Sequence, residues 1–354
     1  MNNNYPFCLI SCFITQVHDA AELSASHSAK NKSEQIDNIK RKEENLPALL
    51  KVNICVKSQI HILCTENYLF CFCNYRHDSR AVRRWPPGKG MTRLKNTKIE
   101  WCDSTFNPIT GCLHHCPYCY ARTMVHRFAG QIENEKQLYE DDEPVLDPEG
   151  RRVAYPHSFA PTFHKHRLAQ VRHWKDEKPR NIFVCSMADI FGDWVPEEWI
   201  TQITDAFKEA PQHNYLFLTK NPIRMINLIE RGILEERENF WFGTTSTKAD
   251  DMFFTSETAN AFVSIEPMHG PLEVIPPNLQ EQLKWVIFGA ETGNRKDKIV
   301  PEPDWILEAA YNFEHLGIPV FMKDSLIPII GEENMKREFP EGLRHGGDKN
   351  ESSM

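Results

Sequence analysis

From residue 181 onward, short apolar runs alternate with segments of helical pattern, and this alternation constrains the fold more than any other feature. The runs lie at residues 181–186, 214–219, 240–243, 261–265, 284–289 and 318–322. Helices are predicted between some of them, at residues 196–210, 222–231 and 303–316. Continuously apolar strands separated by helices indicate a parallel sheet covered by helices. We therefore expect an α/β fold, a full or partial (β/α) barrel, with a doubly wound open sheet as the alternative.

Each apolar run is followed by polar residues. In chain order these are Asp189, Lys220, residues 244–246, Glu266, Glu291 and Lys323. Polar residues at strand ends are also expected wherever a strand reaches solvent. In parallel α/β folds, however, the active site lies at the carboxyl ends of the strands. The set therefore predicts a site at one mouth of the sheet.

Composition limits the class of protein. Hydrophobic residues make up 41% and charged residues 25% of the 354 residues, which is ordinary for a globular protein. No apolar run approaches the roughly 20 residues of a membrane helix, and the start lacks the features of a signal peptide. The 11 cysteines are not spaced like a secreted disulfide framework. These observations favour a cytoplasmic protein that has no contact with a membrane.

Residues 1–90 differ from the rest of the chain. They carry a net charge of +4, whereas the remaining residues carry −12. We expect an N-terminal extension over residues 1–90 that is poorly structured, followed by the barrel domain at residues 91–354. An alternative explanation is that Met91 is the true start. The acidic main body argues against non-specific nucleic-acid binding as its main role, although a local basic groove is compatible with it.

Three cysteines follow one another closely, in the pattern Cys112-x3-Cys116-x2-Cys119. Three thiolates at this spacing can surround one soft metal centre and leave a coordination position open. An open position is typical of catalytic metal chemistry. Zinc is the competing interpretation, with a neighbouring histidine as the fourth ligand. The absence of a second Cys-x2-Cys pair counts against zinc.

This cysteine motif resembles the signature of the radical S-adenosylmethionine (radical SAM) superfamily, with Tyr118 at the aromatic position. The resemblance implies that Cys112, Cys116 and Cys119 hold a [4Fe-4S] cluster. It also implies that the open iron binds SAM and that the aromatic residue lies against the adenine. One electron from the cluster would cleave SAM to a 5′-deoxyadenosyl radical, which abstracts hydrogen from a substrate.

A closer resemblance covers most of residues 91–323. It is carried by residues 98–112, 182–189, 218–222, 264–267 and 288–293, which occur in that order. These segments are similar to the phage-associated three-cysteine-motif proteins, a radical-SAM-like family of unknown function, and more distantly to spore photoproduct lyases. The substrate is not implied by this resemblance, and residues 1–90 fall outside it.

The resemblance also suggests roles for residues at the strand ends. Asp189 is expected to accept the SAM amino group, or else to cap the next helix. Lys220 and Glu266 are expected to contact SAM or substrate, and a buried Lys–Glu pair across the barrel is the alternative. Gly289 and Glu291 are expected to approach the cofactor, since glycine permits close backbone contact.

The functional expectation is a radical SAM enzyme. A nucleic-acid base is the expected substrate by analogy, and the electron donor would be a reductant protein such as a flavodoxin or ferredoxin. The alternative is a non-catalytic zinc- or cluster-binding module that contacts a partner protein. A hydrolase is disfavoured, because the sequence contains no nucleophile elbow.

Overall fold

The computed structural model describes residues 94–343, apart from residues 131, 133, 176, 250 and 273–281. Contacts divide the chain into two compact units, residues 1–84 and 85–354, and the described residues belong to the second. The predictions for residues 1–90 therefore lie outside the described residues. Within the described part, no helix has the length and apolar character needed to cross a membrane.

The main element is a seven-stranded sheet in which every neighbouring pair of strands is parallel. Its order is β1-β5-β6-β7-β8-β9-β10. The strands are β1 (Ser104–Phe106), β5 (Asn181–Val184), β6 (Asn214–Thr219), β7 (Phe240–Ser246), β8 (Asn260–Ile265), β9 (Trp285–Phe288) and β10 (Val320–Met322). Strands from β5 onward follow one another in both sequence and space, as repeated crossover connections require.

The remaining elements surround this sheet. A small second sheet has the order β2-β4-β3. Its strands are β2 (Ile109–Thr110), β3 (Tyr139–Glu140) and β4 (Thr162–Phe163). The α-helices are α1 (Tyr120–Ala129), α2 (Glu197–Ala206), α3 (Pro222–Glu230), α4 (Pro303–His315) and α5 (Ile327–Ile330). Short 3₁₀ segments include Lys165–His173, Phe207–Glu209 and Glu341–Leu343.

The sheet is curled into a half-barrel, and the contacts of the Trp101 indole show the extent of this curvature. Its ring lies 4.6 Å from Phe183 on β5, 6.2 Å from Phe262 on β8 and 6.3 Å from Trp285 on β9. Three strands separate β5 from β9 in the sheet. A single side chain can contact both only if the sheet bends around it. The concave face is thus filled at one end by an aromatic cluster.

The convex face packs against the helices. Alternate residues of the strands, such as Val184, Phe217 and Val263, point into the larger core that also contains Ile203 of α2 and Phe313 of α4. Both faces of each strand are therefore buried, which explains why the strands read as continuous apolar runs. This burial removes the largest apolar area from water and is the main stabilising contribution.

The fold prediction is confirmed as the partial form of the (β/α) barrel. The strand at Asn214–Thr219 begins and ends where the sequence predicted, and the others agree within three residues. Strands β1 to β4 have only two or three residues each and were not predicted. Segments this short leave no detectable period of hydrophobicity.

Candidate cysteine site at the mouth of the half-barrel

A cavity of about 430 Å³ opens at the carboxyl ends of the strands. We call it the mouth cavity. All eight residues predicted as site residues line it: Cys112, Cys116, Tyr118, Cys119, Asp189, Lys220, Glu266 and Glu291. These residues come from five segments of the chain, the cysteine-containing loop and the ends of β5, β6, β8 and β9, and they meet at one place, as expected for a site at this end of a parallel sheet.

The cysteine loop, residues 111–119, begins at a glycine that the fold requires. Gly111 has φ +88°, and its N–H donates to the carbonyl of Met187 at 2.9 Å. A Cβ at this position would lie 2.2 Å from the carbonyl oxygen of Ala160. Only glycine combines this backbone conformation with so close an approach. The position of Cys112 is fixed directly by this contact.

Helix α1 holds the other end of the loop. Cys119 is its N-cap, and its sulfur accepts a hydrogen bond from the Arg122 N–H at 3.4 Å. The Arg122 guanidinium donates to the carbonyl of Cys112 at 2.8 Å and forms an ion pair with Glu135. The N-terminus of a helix favours a thiolate. Arg122 thus connects the first and last cysteines of the loop.

The three thiols are free and partly buried. Burial raises the pKa of the Cys112 thiol to about 12, and the charges of Asp189, Cys119 and Cys116 add to this effect. Burial also raises the pKa of Cys116, with Lys220 opposing the shift. The thiols of Cys112 and Cys116 therefore stay protonated at neutral pH unless a metal displaces the proton.

The donor set suits an iron–sulfur cluster better than one ion. Among the described residues, no three His, Cys, Asp or Glu side chains are arranged to hold a single metal ion. A cubane cluster makes a different demand, because each cysteine binds its own iron. The three thiols line one cavity, and Cys116 and Cys119 lie close enough to Cys112 to raise its pKa, which is compatible with that demand.

Asp189 lies at the centre of a buried hydrogen-bond network. Its carboxylate accepts the backbone N–H groups of Phe191 at 3.0 Å and Lys220 at 2.9 Å. It also accepts the Thr219 hydroxyl at 2.8 Å and lies 2.7 Å from Nε2 of His114 in the cysteine loop. Both oxygens are thus engaged within the protein. The expected contact with the SAM amino group stays a prediction.

Lys220 and Tyr118 contact each other. The Lys220 ammonium lies 5.3 Å from the centre of the Tyr118 ring, over its face. The ring of His269 meets Tyr118 edge-on at 5.5 Å. Cation–π contacts of this kind stabilise by about 0.5–2 kcal/mol. Tyr118, the aromatic residue of the cysteine motif, is therefore held in place by Lys220, which follows β6.

The alternative of a Lys220–Glu266 pair was wrong, because Glu266 pairs with Lys323 instead. Glu266 follows β8 and Lys323 follows β10, with Gly289 between them after β9. A Cβ on Gly289 would lie 3.0 Å from the Glu266 carboxyl carbon. The missing side chain lets the carboxylate reach across β9 to the lysine.

Glu291 is paired as well. It accepts two hydrogen bonds from Arg295, at 2.7 and 2.8 Å, and only 8% of its surface is exposed. These bonds hold the pKa of the Glu291 carboxyl below its usual range. The role of Glu291 toward a cofactor stays a prediction.

Sequence reasoning missed the contact that His114 makes, whereas it predicted that Asn107 shapes the loop ahead of the first cysteine. His114 was considered only as a zinc ligand, yet it bonds Asp189 and lies edge-on against Trp194 at 4.9 Å. Asn107 accepts the Ser186 hydroxyl at 3.1 Å and the Met187 N–H at 3.0 Å. Its place before the cysteine loop was the one available signal.

Comparison with known proteins places the chain in a family. A profile described as "Protein of unknown function (DUF5131)" matches residues 96–329. The chain belongs to the DUF5131 family. A search of curated proteins found no match to this DUF5131 protein.

Solved structures of spore photoproduct lyase resemble this DUF5131 protein in fold. A double mutant with bound AdoMet and dinucleoside spore photoproduct shares 11% identity at a TM-score of 0.36, over 58% of this chain and 62% of that one. The lyase complexed with dinucleoside spore photoproduct shares 10% identity at a TM-score of 0.40, over 66% of this chain and 81% of that one. The match thus spans less than two thirds of the first lyase structure.

Proposed function

We propose that this DUF5131 protein is a radical SAM enzyme. The observation that carries the proposal is the placement of three free thiols on one wall of a 430 Å³ cavity at the carboxyl ends of a half-barrel. Cys112, Cys116 and Cys119 would hold a [4Fe-4S] cluster and leave one iron open to SAM. When bound, such a cluster supplies one electron for cleavage of SAM to a 5′-deoxyadenosyl radical.

The chain's own residues would position SAM and shield it from water. The Tyr118 ring has Lys220 over one face and meets His269 edge-on, so its other face would be the one to contact the adenine. Asp189 has no acceptor capacity to spare beyond its present donors. Glu266, held by one lysine, is the better candidate for the SAM amino group or for a polar group of the substrate.

The cavity wall also favours a class of substrate. Trp101, Phe183, Leu218 and Ala290 contribute apolar surface to its lining, and charged and hydroxyl side chains such as Lys220, Glu266 and Ser264 lie among them. Pockets of this kind suit a flat, largely apolar ring that is oriented by a few hydrogen bonds. We propose a nucleic-acid base as substrate and a flavodoxin- or ferredoxin-type protein as electron donor.

The test uses the full chain, purified without oxygen and reconstituted with iron and sulfide. After reconstitution, we expect about four irons per chain. After addition of SAM and dithionite, we expect release of 5′-deoxyadenosine, measured by chromatography. The variant Cys116→Ala should abolish both. The matched control is Cys102→Ala, which removes a buried cysteine outside the cavity lining.

Two results would overturn the proposal. In one, the protein takes up zinc in preference to iron and remains colourless. In the other, it binds a cluster but never cleaves SAM, with dithionite or with flavodoxin. Either result would favour a non-catalytic metal-binding module.

A further inference from the structure

A second cavity of about 450 Å³ lies on a different side of the residues that lead into the cysteine loop. We call it the second cavity. None of its lining residues lines the mouth cavity. Its walls come from residues 94–97, the β1 segment 105–107, the insert 141–156 and the 3₁₀ segment from His164 to Trp174. The proposed function leaves this cavity without a role.

The second cavity has an excess of positive charge. Lys95, Arg152 and Arg167 line it, and Asp141 is the one carboxylate among its described lining residues. Within the described part of the chain, none of the three cations forms an ion pair. This differs from residues 91–354 as a whole, whose net charge is −12. The positive charge of this cavity therefore does not follow from the overall composition, and it favours binding of an anion.

Asp141 acts on Arg167 only at a distance and forms no direct ion pair with these cations, because its oxygen atoms face histidines. Its two carboxylate oxygens lie 3.0 Å from His157 and 3.0 Å from His164. Burial lowers the pKa of His164 to about 2, so this ring stays neutral. A neutral His164 then donates from Nδ1 to Asp141 and accepts the Thr110 hydroxyl at Nε2, at 2.9 Å. The carboxylate is held in place by this chain of bonds.

Arg167 is the central cation of the second cavity. Its guanidinium donates to two backbone carbonyls, those of Asn107 at 2.5 Å and Ala154 at 3.3 Å. Burial lowers the pKa of Arg167 to about 10, which still leaves it charged at neutral pH. Carbonyl groups satisfy N–H donors but do not supply a counter-charge. Within the described residues, the other three of its five N–H donors have no hydrogen-bond partner.

We propose that the second cavity binds the phosphate group of a small organic molecule of about nucleotide size. Arg167 offers a planar, two-pronged donor, and Arg152 and Lys95 add two further charges at the rim. A phosphate monoester carries a charge of about −1.5 to −2 at neutral pH, which suits several cations better than a single carboxylate would. Val145 and Val153, each 37% exposed, offer apolar surface to the organic part. This proposal stands whether or not the protein cleaves SAM.

The test is titration calorimetry of the full chain with inorganic phosphate and with uridine 5′-monophosphate. We expect both to bind, the nucleotide more tightly, with an affinity that falls as salt is added. Arg152→Glu should weaken nucleotide binding at least tenfold. The matched control is Arg151→Glu, because Arg151 is the exposed neighbour, pairs with Asp147 and does not line the cavity.

Further measurements distinguish a small phosphate ester from a nucleic-acid backbone as the ligand. Single-stranded oligothymidylate that binds more tightly than the nucleotide, with the same loss in Arg152→Glu, would assign the phosphate site to a nucleic-acid backbone. Cys116→Ala should bind the nucleotide as the wild type does. Three results would overturn the proposal: no binding of either probe at millimolar concentration, equal losses in Arg151→Glu and Arg152→Glu, or loss of binding in Cys116→Ala. Thermal unfolding of each variant shows that the fold is kept.

Discussion

Two parts of the mouth cavity lining are built differently. We call the cysteine loop, residues 111–119, the cysteine wall, and the residues that follow β8, β9 and β10 the opposite wall. The cysteine wall is attached to the rest of the fold at several points: Gly111 to Met187, Cys112 to Arg122, His114 to Asp189 and Tyr118 to Lys220. On the opposite wall, at the ends of β8 to β10, the charged groups mainly pair with each other. Glu266 bonds Lys323, and Glu291 bonds Arg295.

This difference separates two tasks. A cluster needs its ligands held at fixed positions before it binds, and the many contacts of the cysteine wall provide this. An ion pair inside a cavity can exchange its partner for a polar group of an incoming molecule. The cysteine wall is therefore suited to a permanent group, and the opposite wall to molecules that come and go.

The largest effect is expected for Gly111→Ala. The new Cβ would meet the Ala160 carbonyl at 2.2 Å in a backbone conformation with φ +88°, so we expect about 3 kcal/mol of destabilisation and loss of bound iron. Gly130→Ala is the control, because Gly130 also has a positive φ but nothing lies within 4 Å of its Cβ position. Urea unfolding and iron analysis measure both. Equal effects in the two variants would contradict the role given to Gly111.

Asp189→Asn should have the next largest effect. The side-chain amide of the new asparagine would point its own N–H donors at groups that already donate to Asp189. Buried donors would then lack an acceptor, which should lower the free energy of unfolding by about 2 kcal/mol. We expect weaker iron retention and a changed EPR spectrum of the reduced cluster, because His114 loses its partner. The control is Asp193→Asn, an exposed carboxylate bonded to Asn221. An unchanged spectrum and iron content would show that the network does not position the loop.

Lys323→Met should leave the cysteine wall intact. We expect normal iron content and a stability change of less than about 1 kcal/mol, since the pair is partly exposed. SAM or substrate affinity should rise roughly tenfold, because Glu266 no longer has to give up a charge-assisted bond before it binds the incoming molecule. Lys336→Met, which breaks the distant pair with Glu314, should change neither iron content nor affinity. Loss of iron in Lys323→Met would erase the distinction between the walls.

The smallest effect is expected for the stability of the fold at low pH. Arg295 lowers the pKa of Glu291 below its ordinary value of 4.5, so this pair stabilises the fold above pH 4.5. Its contribution is lost as the pH falls below 4.5 through the lowered pKa of the folded state. Glu291→Gln should therefore flatten the loss of stability that the wild type shows as the pH falls below 4.5. Glu257→Gln, at an exposed position, should leave that slope unchanged in denaturant titrations at each pH.

The sequence predicted the strands from residue 181 onward because both faces of each are buried, which leaves an unbroken apolar run. It also predicted the three thiols, since their spacing alone restricts them to one loop. The partner of Glu266 could not be predicted in this way. Which polar residues meet across the mouth depends on the curl of the sheet and on the small size of Gly289. Those are properties of the assembled sheet rather than of a local pattern.

The contact between His114 and Asp189 also has a consequence for biosynthesis. The two residues are 75 positions apart, and Lys220 comes later still. On the ribosome, the cysteines therefore emerge well before the residues that hold their loop. Domains of this kind fold as units once their long-range partners are available. A nascent chain that stops before β6 would leave the three thiols without the contacts that hold their loop. If the proposed function holds, loading with iron would therefore follow synthesis of most of the domain.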